Sequence, residues 1–194
     1  SWPMAHIDGV EIDGAVVDIG KEYFDNDDER ISPFVMDGRI FLQATDRKYD
    51  VILVDAYRQP YIPFHLTTTE FWAEVDAHLT EDGVVAINVA SVKGVDDGLL
   101  QMIYATMREH FPMITKVEVT SSNDILYATR SVKDTHTMVN NLALMPAAKG
   151  LDQLRPVLRR KTSASVEGWR DVEVLTDDKA PVEMAWDLQA LEFI

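Results

Sequence analysis

Tyr49-Asp-Val-Ile-Leu-Val-Asp55 is an apolar run that ends in an acid, as expected of a strand buried on both faces of a parallel sheet. A second apolar run, residues 83–89, follows a segment of helical periodicity through Phe71, Val75 and Leu79. Short apolar runs that alternate with helical segments predict an α/β fold. The chain has 194 residues and no composition shift that marks a linker, so we expect one domain over residues 1–194.

The amino-terminal side repeats this pattern with shorter elements. Residues 6–12 and 34–36 are predicted strands. Asp13 is a suitable cap for the helix between them, because apolar side chains recur with helical spacing from Val16 to Tyr23. A second short helix is expected directly after the strand at 34–36.

The carboxyl-terminal side is predicted to contain a hairpin. Thr67 and Glu70 have the spacing of a capping box, which starts the helix that leads to the run at 83–89. The other predicted elements are a helix over 100–111, β-rich runs at 114–120 and 124–129 that pair as a hairpin, and a helix over 151–160.

The charge balance excludes several classes of partner. Against 18 Lys and Arg residues stand 33 Asp and Glu residues, which gives a formal net charge of −15. Phosphate backbones and anionic lipids attract clustered cations, so we expect no nucleic-acid partner and no membrane partner. The chain has no cysteine, which excludes disulfides and thiolate chemistry. It shows neither a membrane-spanning apolar run nor a signal segment, and we expect a cytoplasmic location.

Three predicted strands end in acids, namely Glu11, Asp37 and Asp55. Ligands of open parallel sheets bind outside the carboxyl ends of the strands. Glu11 is placed to accept both ribose hydroxyls of a nucleoside, and Asp37 to accept the adenine amino group while Gly38 lets the base approach the backbone. Any one of these acids alone is better explained as a helix cap, but three in succession favour a nucleoside site. The five histidines show no metal-ligand spacing, so no metal is expected.

Five ordered motifs resemble the spermidine synthase family of polyamine aminopropyltransferases, in its bacterial synthase-like branch. They are Gly9-Val-Glu-Ile-Asp13, Asp37-Gly-Arg39 with Phe41-Leu42, Tyr49-Asp-Val-Ile-Leu-Val-Asp55, Pro63-Phe-His-Leu-Thr-Thr-Thr-Glu-Phe71 and Leu175-Thr-Asp-Asp-Lys-Ala-Pro-Val-Glu183. The resemblance implies a class I methyltransferase-like (Rossmann-like) fold. Its sheet is doubly wound and mostly parallel, and it ends in an antiparallel hairpin.

The resemblance also implies an activity, which is transfer of an aminopropyl group from decarboxylated S-adenosylmethionine to putrescine or a related amine, with release of methylthioadenosine. Asp55 takes the catalytic position, where it accepts the proton of the attacking amine. Such an amine has a pKa of about 10.4 and is therefore mostly an ammonium in solution, which a carboxylate first binds and then deprotonates. The implied cofactor-binding residues are Glu11, Ile12, Asp37, Gly38, Asp55, Ala56, Pro63 and Phe64.

The residues expected to contact the amine lie in the loop after Asp55. Gln59 is expected to face the amine, and Tyr57 and Tyr61 to stack on ligand or to pack within the loop. Arg58 stands where the family usually has a second carboxylate. If Arg58 faced a diamine at about 4 Å, the repulsion would be about 4 kcal/mol. The segment 90–94 likewise lacks the pocket tyrosine of the family.

The glycine-rich loop of the family follows a strand that precedes the position of Glu11, and this chain begins at Ser1-Trp-Pro-Met-Ala instead. That first, central strand is therefore expected to be missing here, together with the β-rich amino-terminal domain. We expect a partial catalytic domain in which the strands ending at Glu11 and Asp55 each lose a ladder partner. The expected assembly is a homodimer or a fold completed by an amino-terminal segment.

Two alternatives to the aminopropyltransferase remain open. A methyltransferase on the same fold would use S-adenosylmethionine itself and would have to accommodate its carboxylate. A non-catalytic nucleoside-binding or assembly module would explain the altered amine pocket and the missing strand.

Overall fold

The computed structural model describes residues 4–24, 28–57, 61–90, 98–120, 122–130 and 172–191, which form two units, Ser1–Asp46 and Arg47–Ile194. In the first unit, strand β1 (Ile7–Glu11) pairs in parallel with strand β2 (Ile31–Val35). Helix α1 (Gly14–Tyr23) connects the two strands, and helix α2 (Gly38–Ala44) follows β2. This order is a βαβ unit with one additional helix.

The first unit buries few side chains. Phe41 and Leu42 of α2 are its buried apolar residues within the described part of the chain, and the Phe41 ring lies 4.8 Å from that of Phe34. Helix α1 has the predicted cap, since the Asp13 side chain accepts from the Ala15 N–H, but none of its residues is buried. Its apolar residues Val16 and Ile19 are exposed.

The second unit is built on a four-stranded mixed sheet with the strand order β3-β4-β6-β5. Strand β3 (Tyr49–Val54) is parallel to β4 (Leu79–Ala90), and β4, β5 (Met113–Thr120) and β6 (Asn123–Thr129) are paired in antiparallel fashion. This arrangement confirms the α/β class and the predicted hairpin.

Helices complete the second unit. A short 3₁₀ turn (Phe64–Leu66) precedes helix α3 (Thr69–His78), and helix α4 (Gly98–Arg108) lies between β4 and β5 in the sequence. Trp72 of α3 is fully buried, and its ring meets that of Phe111 edge to face at 6.4 Å. The last of the five motifs, Leu175–Glu183, is called the closing motif below. Helix α5 (Val182–Leu191), which the sequence analysis does not predict, begins at its end.

The closing motif docks on the start of helix α3. Leu175 is fully buried, its N–H donates to Thr106 Oγ1 at 2.9 Å and its carbonyl accepts from the Thr69 N–H at 2.8 Å. The Thr68 hydroxyl donates to Asp177 Oδ1 at 2.7 Å, and the Asp177 N–H donates to Glu70 Oε2 at 3.0 Å. These contacts join residues about 100 positions apart in the sequence, so the motif contributes to the stability of the unit.

The capping box predicted at Thr67 and Glu70 is wrong by one residue. Thr68 is the cap of α3 and accepts from the Phe71 N–H, whereas Glu70 binds the closing motif. The helix also ends earlier than its periodicity indicates, because Leu79 already belongs to β4. Gly83 lies in a crowded part of that strand, where a Cβ would approach Leu79 and the Thr80 carbonyl to 3.0 Å.

The predicted burial of β3 on both faces is also wrong. Val54 is buried, but Val51 and Leu53 are 57% and 72% exposed. Among the described residues β3 pairs with β4 alone and β1 with β2 alone. Val51 and Leu53 lie on the same side of β3, so the apolar face of this strand is uncovered. The expectation that both strands lack a ladder partner stays a prediction.

Some expectations fall on residues outside the described ranges. They are the helix over 151–160 and the positions of Arg58 and Gln59. None of the helices in the described ranges has both the length and the apolar character that a membrane crossing requires.

Candidate active site

Glu11 and Asp37 lie at the carboxyl edge of the two-stranded sheet, as the sequence predicts. Glu11 is the last residue of β1 and stands opposite Val35 of β2, and its carbonyl accepts from the Met36 N–H at 3.0 Å. Asp37 follows Met36 directly. Both acids are half-buried. Parallel pairing therefore brings them to the same edge of this sheet, which is where ligands of such folds bind.

Each of these acids also binds its own backbone. Glu11 Oε1 accepts from the Asp13 N–H at 2.9 Å. Asp37 Oδ1 accepts from the N–H groups of Arg39 and Ile40 at 2.9 and 3.1 Å, which caps helix α2. The structure thus shows the capping function that the sequence offers as the simpler explanation. A carboxylate has two acceptor oxygens, so the Glu11 cap, which uses Oε1, is compatible with a ligand at Oε2.

The neighbours of these acids present open surface. Ile12 is 70% exposed, and a Cβ built on Gly38 would meet no atom within 4 Å. A flat ligand could therefore approach the backbone at Gly38, as predicted for the adenine. The nucleoside functions of Glu11, Ile12, Asp37 and Gly38 stay predictions.

In the second unit, Asp55 follows the last residue of β3 and its side chain is exposed to solvent. Asn88 of the adjacent strand β4 donates from Nδ2 to Asp55 Oδ1 at 2.9 Å. An exposed carboxylate at the carboxyl end of a parallel strand, with one oxygen held by an amide, can receive a cation or a proton at its second oxygen.

The Tyr57 hydroxyl is bound to the backbone of β4. It donates to the Asn88 carbonyl at 2.8 Å and accepts from the Ala90 N–H at 2.9 Å. Burial raises the pKa of Tyr57 to about 12, against the Ala90 hydrogen bond that lowers it, and the charge of Asp55 raises it further. Tyr57 is therefore attached to β4 through its hydroxyl. Both packing within the loop and stacking of its ring on a ligand stay predictions.

Tyr61 contacts helix α5. Its hydroxyl donates to Asp187 Oδ1 at 3.0 Å, and this hydrogen bond raises the pKa of Tyr61. The sequence offers no signal for this pair, because α5 itself is not predicted. The amine-binding function of Tyr61 is not tested by this contact and stays a prediction.

Ala56, Pro63 and Phe64 complete the predicted set. Ala56 is exposed, Pro63 caps the 3₁₀ turn through its backbone position, and the half-exposed Phe64 ring meets His65 edge to face at 5.7 Å. The functions predicted for Ala56, Pro63 and Phe64 at a cofactor stay predictions.

Asn88 is the site residue that the sequence analysis misses. It is the one polar residue in the run 83–89, and that interruption of an apolar strand is the signal that could have identified it. In the part of the chain that the structure describes, no group of three or more His, Asp or Glu side chains could hold a metal ion. The expectation that the site uses no metal stays a prediction.

Comparison with solved structures places the fold. A probable spermidine synthase from Corynebacterium glutamicum matches with a TM-score of 0.62 and 20% identity, over 74% of this chain and 56% of that one. Human methyltransferase-like protein 13, solved in complex with SAH, matches with a TM-score of 0.64 and 21% identity, over 86% of this chain and 77% of that one. At these identities the likeness shows a methyltransferase-like Rossmann fold.

Sequence comparison places the family. A probable polyamine aminopropyl transferase from Bifidobacterium longum (strain NCC 2705) is 30% identical over 94% of this chain and 44% of its own length. A polyamine aminopropyltransferase from Vibrio vulnificus (strain CMCP6) is 35% identical over 50% of this chain and 33% of its own length. The chain thus spans less than half the length of these relatives. The family model of the spermine/spermidine synthase domain matches residues 2–132, and the chain belongs to this family.

Proposed function

We propose that this chain carries the catalytic part of an aminopropyltransferase. The observation that supports the proposal most directly is the exposed Asp55 carboxylate, which Asn88 holds at the carboxyl end of β3 in a chain of the spermine/spermidine synthase family. The co-substrate is decarboxylated S-adenosylmethionine, and the acceptor is putrescine or a related amine.

The reaction makes one bond and breaks one bond. The amine nitrogen attacks the methylene beside the sulfonium, a C–N bond forms, and the C–S bond electrons return to sulfur. The products are methylthioadenosine and the extended amine. Asp55 binds the incoming ammonium through its negative charge. It then accepts one proton from the amine nitrogen, before or during the attack, and passes that proton to solvent. The fixed carboxylate also orients the nucleophile, which lowers the entropic part of the barrier.

The nucleoside is assigned to the first unit. Glu11 would accept the ribose hydroxyls at Oε2, because its Oε1 already accepts from the Asp13 N–H. Asp37 would accept the adenine amino group, with the base above the open backbone at Gly38.

Three further parts of the proposal come from the sequence. The protein is proposed to act on a small polyamine in the cytoplasm. Its assembly is proposed to be a homodimer or a fold completed by an amino-terminal segment. The choice of acceptor amine depends on Gln59 and Arg58, which lie outside the described residues.

Calorimetric titration with methylthioadenosine, in parallel with S-adenosylmethionine, tests the nucleoside assignment. We expect methylthioadenosine to bind more tightly, because a site shaped for the decarboxylated donor has no partner for the methionine carboxylate. Tighter binding of S-adenosylmethionine would favour the methyltransferase alternative. Binding of neither compound would contradict the nucleoside assignment and favour an assembly module.

Replacement of the proposed base tests the chemistry. We expect Asp55→Asn to lower kcat by roughly 10²–10⁴-fold while the affinity for methylthioadenosine stays unchanged, because the amide keeps the shape but accepts no proton. Release of methylthioadenosine from decarboxylated S-adenosylmethionine and putrescine is the measurement. Asp50→Asn is the matched control, since Asp50 lies at the opposite end of β3 and binds Thr80. Equal turnover of the Asp55 variant and the wild type would rule out the assigned function.

A further inference from the structure

We propose that Asn88 is the residue that positions the Asp55 carboxylate for catalysis. The inference rests on the proposed function, because it assigns a second residue to the same reaction. Asn88 lies on β4, next to β3, and its Nδ2 donates to Asp55 Oδ1 at 2.9 Å. An ionised carboxylate accepts hydrogen bonds and donates none, so the NH₂ group of the amide is the end that faces Asp55.

Packing alone does not explain an amide side chain at position 88. Its register partner on β6 is the apolar residue Ile125, whereas Ile87 and Val89, which flank it in the strand, are buried on the opposite face. Asn88 Oδ1 is buried and accepts no hydrogen bond within the described residues. A buried acceptor without a donor is unfavourable, so an apolar side chain would serve the strand better. The benefit of asparagine at this position is the bond that its Nδ2 makes to Asp55.

Asn88 also holds the loop that carries Asp55. Its backbone carbonyl accepts from the Tyr57 hydroxyl at 2.8 Å, so one residue of β4 contacts the loop through both side chain and main chain. Two attachments fix the direction of the carboxylate as well as its location. One carboxylate oxygen is occupied by the amide, and the other is left to receive the proton of the amine. Asn88 touches neither substrate nor reacting atoms in this assignment, and it acts through Asp55.

Steady-state kinetics of Asn88 variants test the inference. We expect Asn88→Ala to lower kcat by roughly 10–100-fold, with the KM for decarboxylated S-adenosylmethionine changed less than about twofold, because misplacement of the base affects the chemical step. Asn88→Asp has the same shape and places a second negative charge beside Asp55, so its kcat should be lower than that of the alanine variant. Asn88→Gln keeps a donor and should recover part of the loss.

Asn123→Ala is the matched control, since Asn123 stands at the start of β6 opposite Ala90 and should leave kcat unchanged. Equal kcat for the wild type and Asn88→Ala would overturn the inference while leaving the proposed function intact. An equal loss in the Asp, Ala and Gln variants would also overturn it, because a merely structural residue would behave in that way.

A readout without turnover separates this inference from the proposed function. In NMR spectra of protein labelled with ¹⁵N-asparagine, the Asn88 side-chain amide should show a shifted, slowly exchanging proton that is lost in Asp55→Ala. If the wild type releases no methylthioadenosine but this signal is present, the proposed function fails and the Asn88–Asp55 contact stands. If the signal does not respond to Asp55→Ala, the positioning assignment fails whether or not the protein is active.

Discussion

The two units of this chain hold their acids in different ways. In the first unit, Glu11 and Asp37 bind backbone N–H groups two or three residues further along the chain. In the second unit, Asp55 is bound by Asn88, a residue 33 positions away on another strand. A local cap needs only residues that are adjacent in the sequence, whereas the Asp55 contact needs two strands that are paired in the folded sheet. The described contact of the proposed base therefore depends on tertiary structure, whereas the described contacts of the two acids proposed to bind the nucleoside are local.

The two units also differ in core packing, which is sparse in the first unit and extensive in the second. The first unit buries Phe41 and Leu42, and the whole of α1 is without a buried residue. The second unit buries large side chains completely, Trp72 and Phe111 among them. Since most helix stability in proteins comes from an apolar face packed on the rest of the fold, the second unit is expected to be the more stable one.

The closing motif gives the largest expected effect on stability. Leu175→Ala should lower the free energy of unfolding of the second unit by about 2–5 kcal/mol, because it leaves a cavity at a fully buried position. Urea denaturation followed by circular dichroism measures the change. Met184→Ala, on an exposed position of α5, should stay within about 0.5 kcal/mol of the wild type. Similar losses for the two variants would show that the motif is not docked as described.

The cap of α3 comes next, because its contacts are both local and long-range. Thr68→Ala removes the cap to the Phe71 N–H and the hydrogen bond to Asp177, and Thr68 is fully buried. We expect a loss of about 2 kcal/mol in the free energy of unfolding, measured in the same way. Thr68→Ser keeps the hydroxyl and should recover most of that loss. A loss below about 0.5 kcal/mol would contradict the long-range part of the contact.

The cap of α1 is the local counterpart. Asp13→Ala should destabilise α1 by about 1 kcal/mol, because the Ala15 N–H loses its acceptor at an exposed site. Hydrogen exchange of the α1 amides measures this local change, and Asp13→Asn should keep the protection of the wild type. Any effect of Asp13→Ala on the exchange of β4 amides would break the distinction between the two units.

The last effect concerns Tyr57 and appears only at high pH. The folded-state pKa of Tyr57 is about 12, above the ordinary value of 10.0, so the hydroxyl keeps its proton longer in the folded protein than in the unfolded chain. This contribution to stability is complete below pH 10 and is lost as the pH rises to about 12. Between these two pH values, the wild type should lose more stability than Tyr57→Phe. Parallel pH profiles of the two proteins in urea denaturation would contradict the assignment.

The sequence predicts the elements whose signals are local. The Asp13 cap, the helix after Asp37 and the hairpin of β5 and β6 are confirmed because a few adjacent residues determine each of them. The family is confirmed as well. Five motifs in a fixed order identify a family more reliably than any single residue does. The acids predicted at the strand ends lie at those ends, but their caps show that position alone does not assign a ligand.

The wrong predictions concern features that depend on residues far away in the sequence. The burial of β3 was expected from its apolar composition, yet exposure of Val51 and Leu53 depends on which elements cover them. The cap of α3 is Thr68 and not the predicted Thr67. Glu70, the predicted partner in the capping box, instead binds the closing motif more than 100 residues away. The sequence analysis misses Asn88 because its hydrogen bond to Asp55 can be recognised only when the pairing of β3 and β4 is known.

The uncovered face of β3 has a consequence for how copies of this chain behave in solution. Strand edges pair with each other through the backbone, with little regard to sequence, and an apolar face beside such an edge strengthens the attraction. A net charge of −15 on every copy opposes that approach over a distance that salt shortens. The net negative charge is therefore expected to oppose association of copies through this face, and added salt is expected to weaken that opposition.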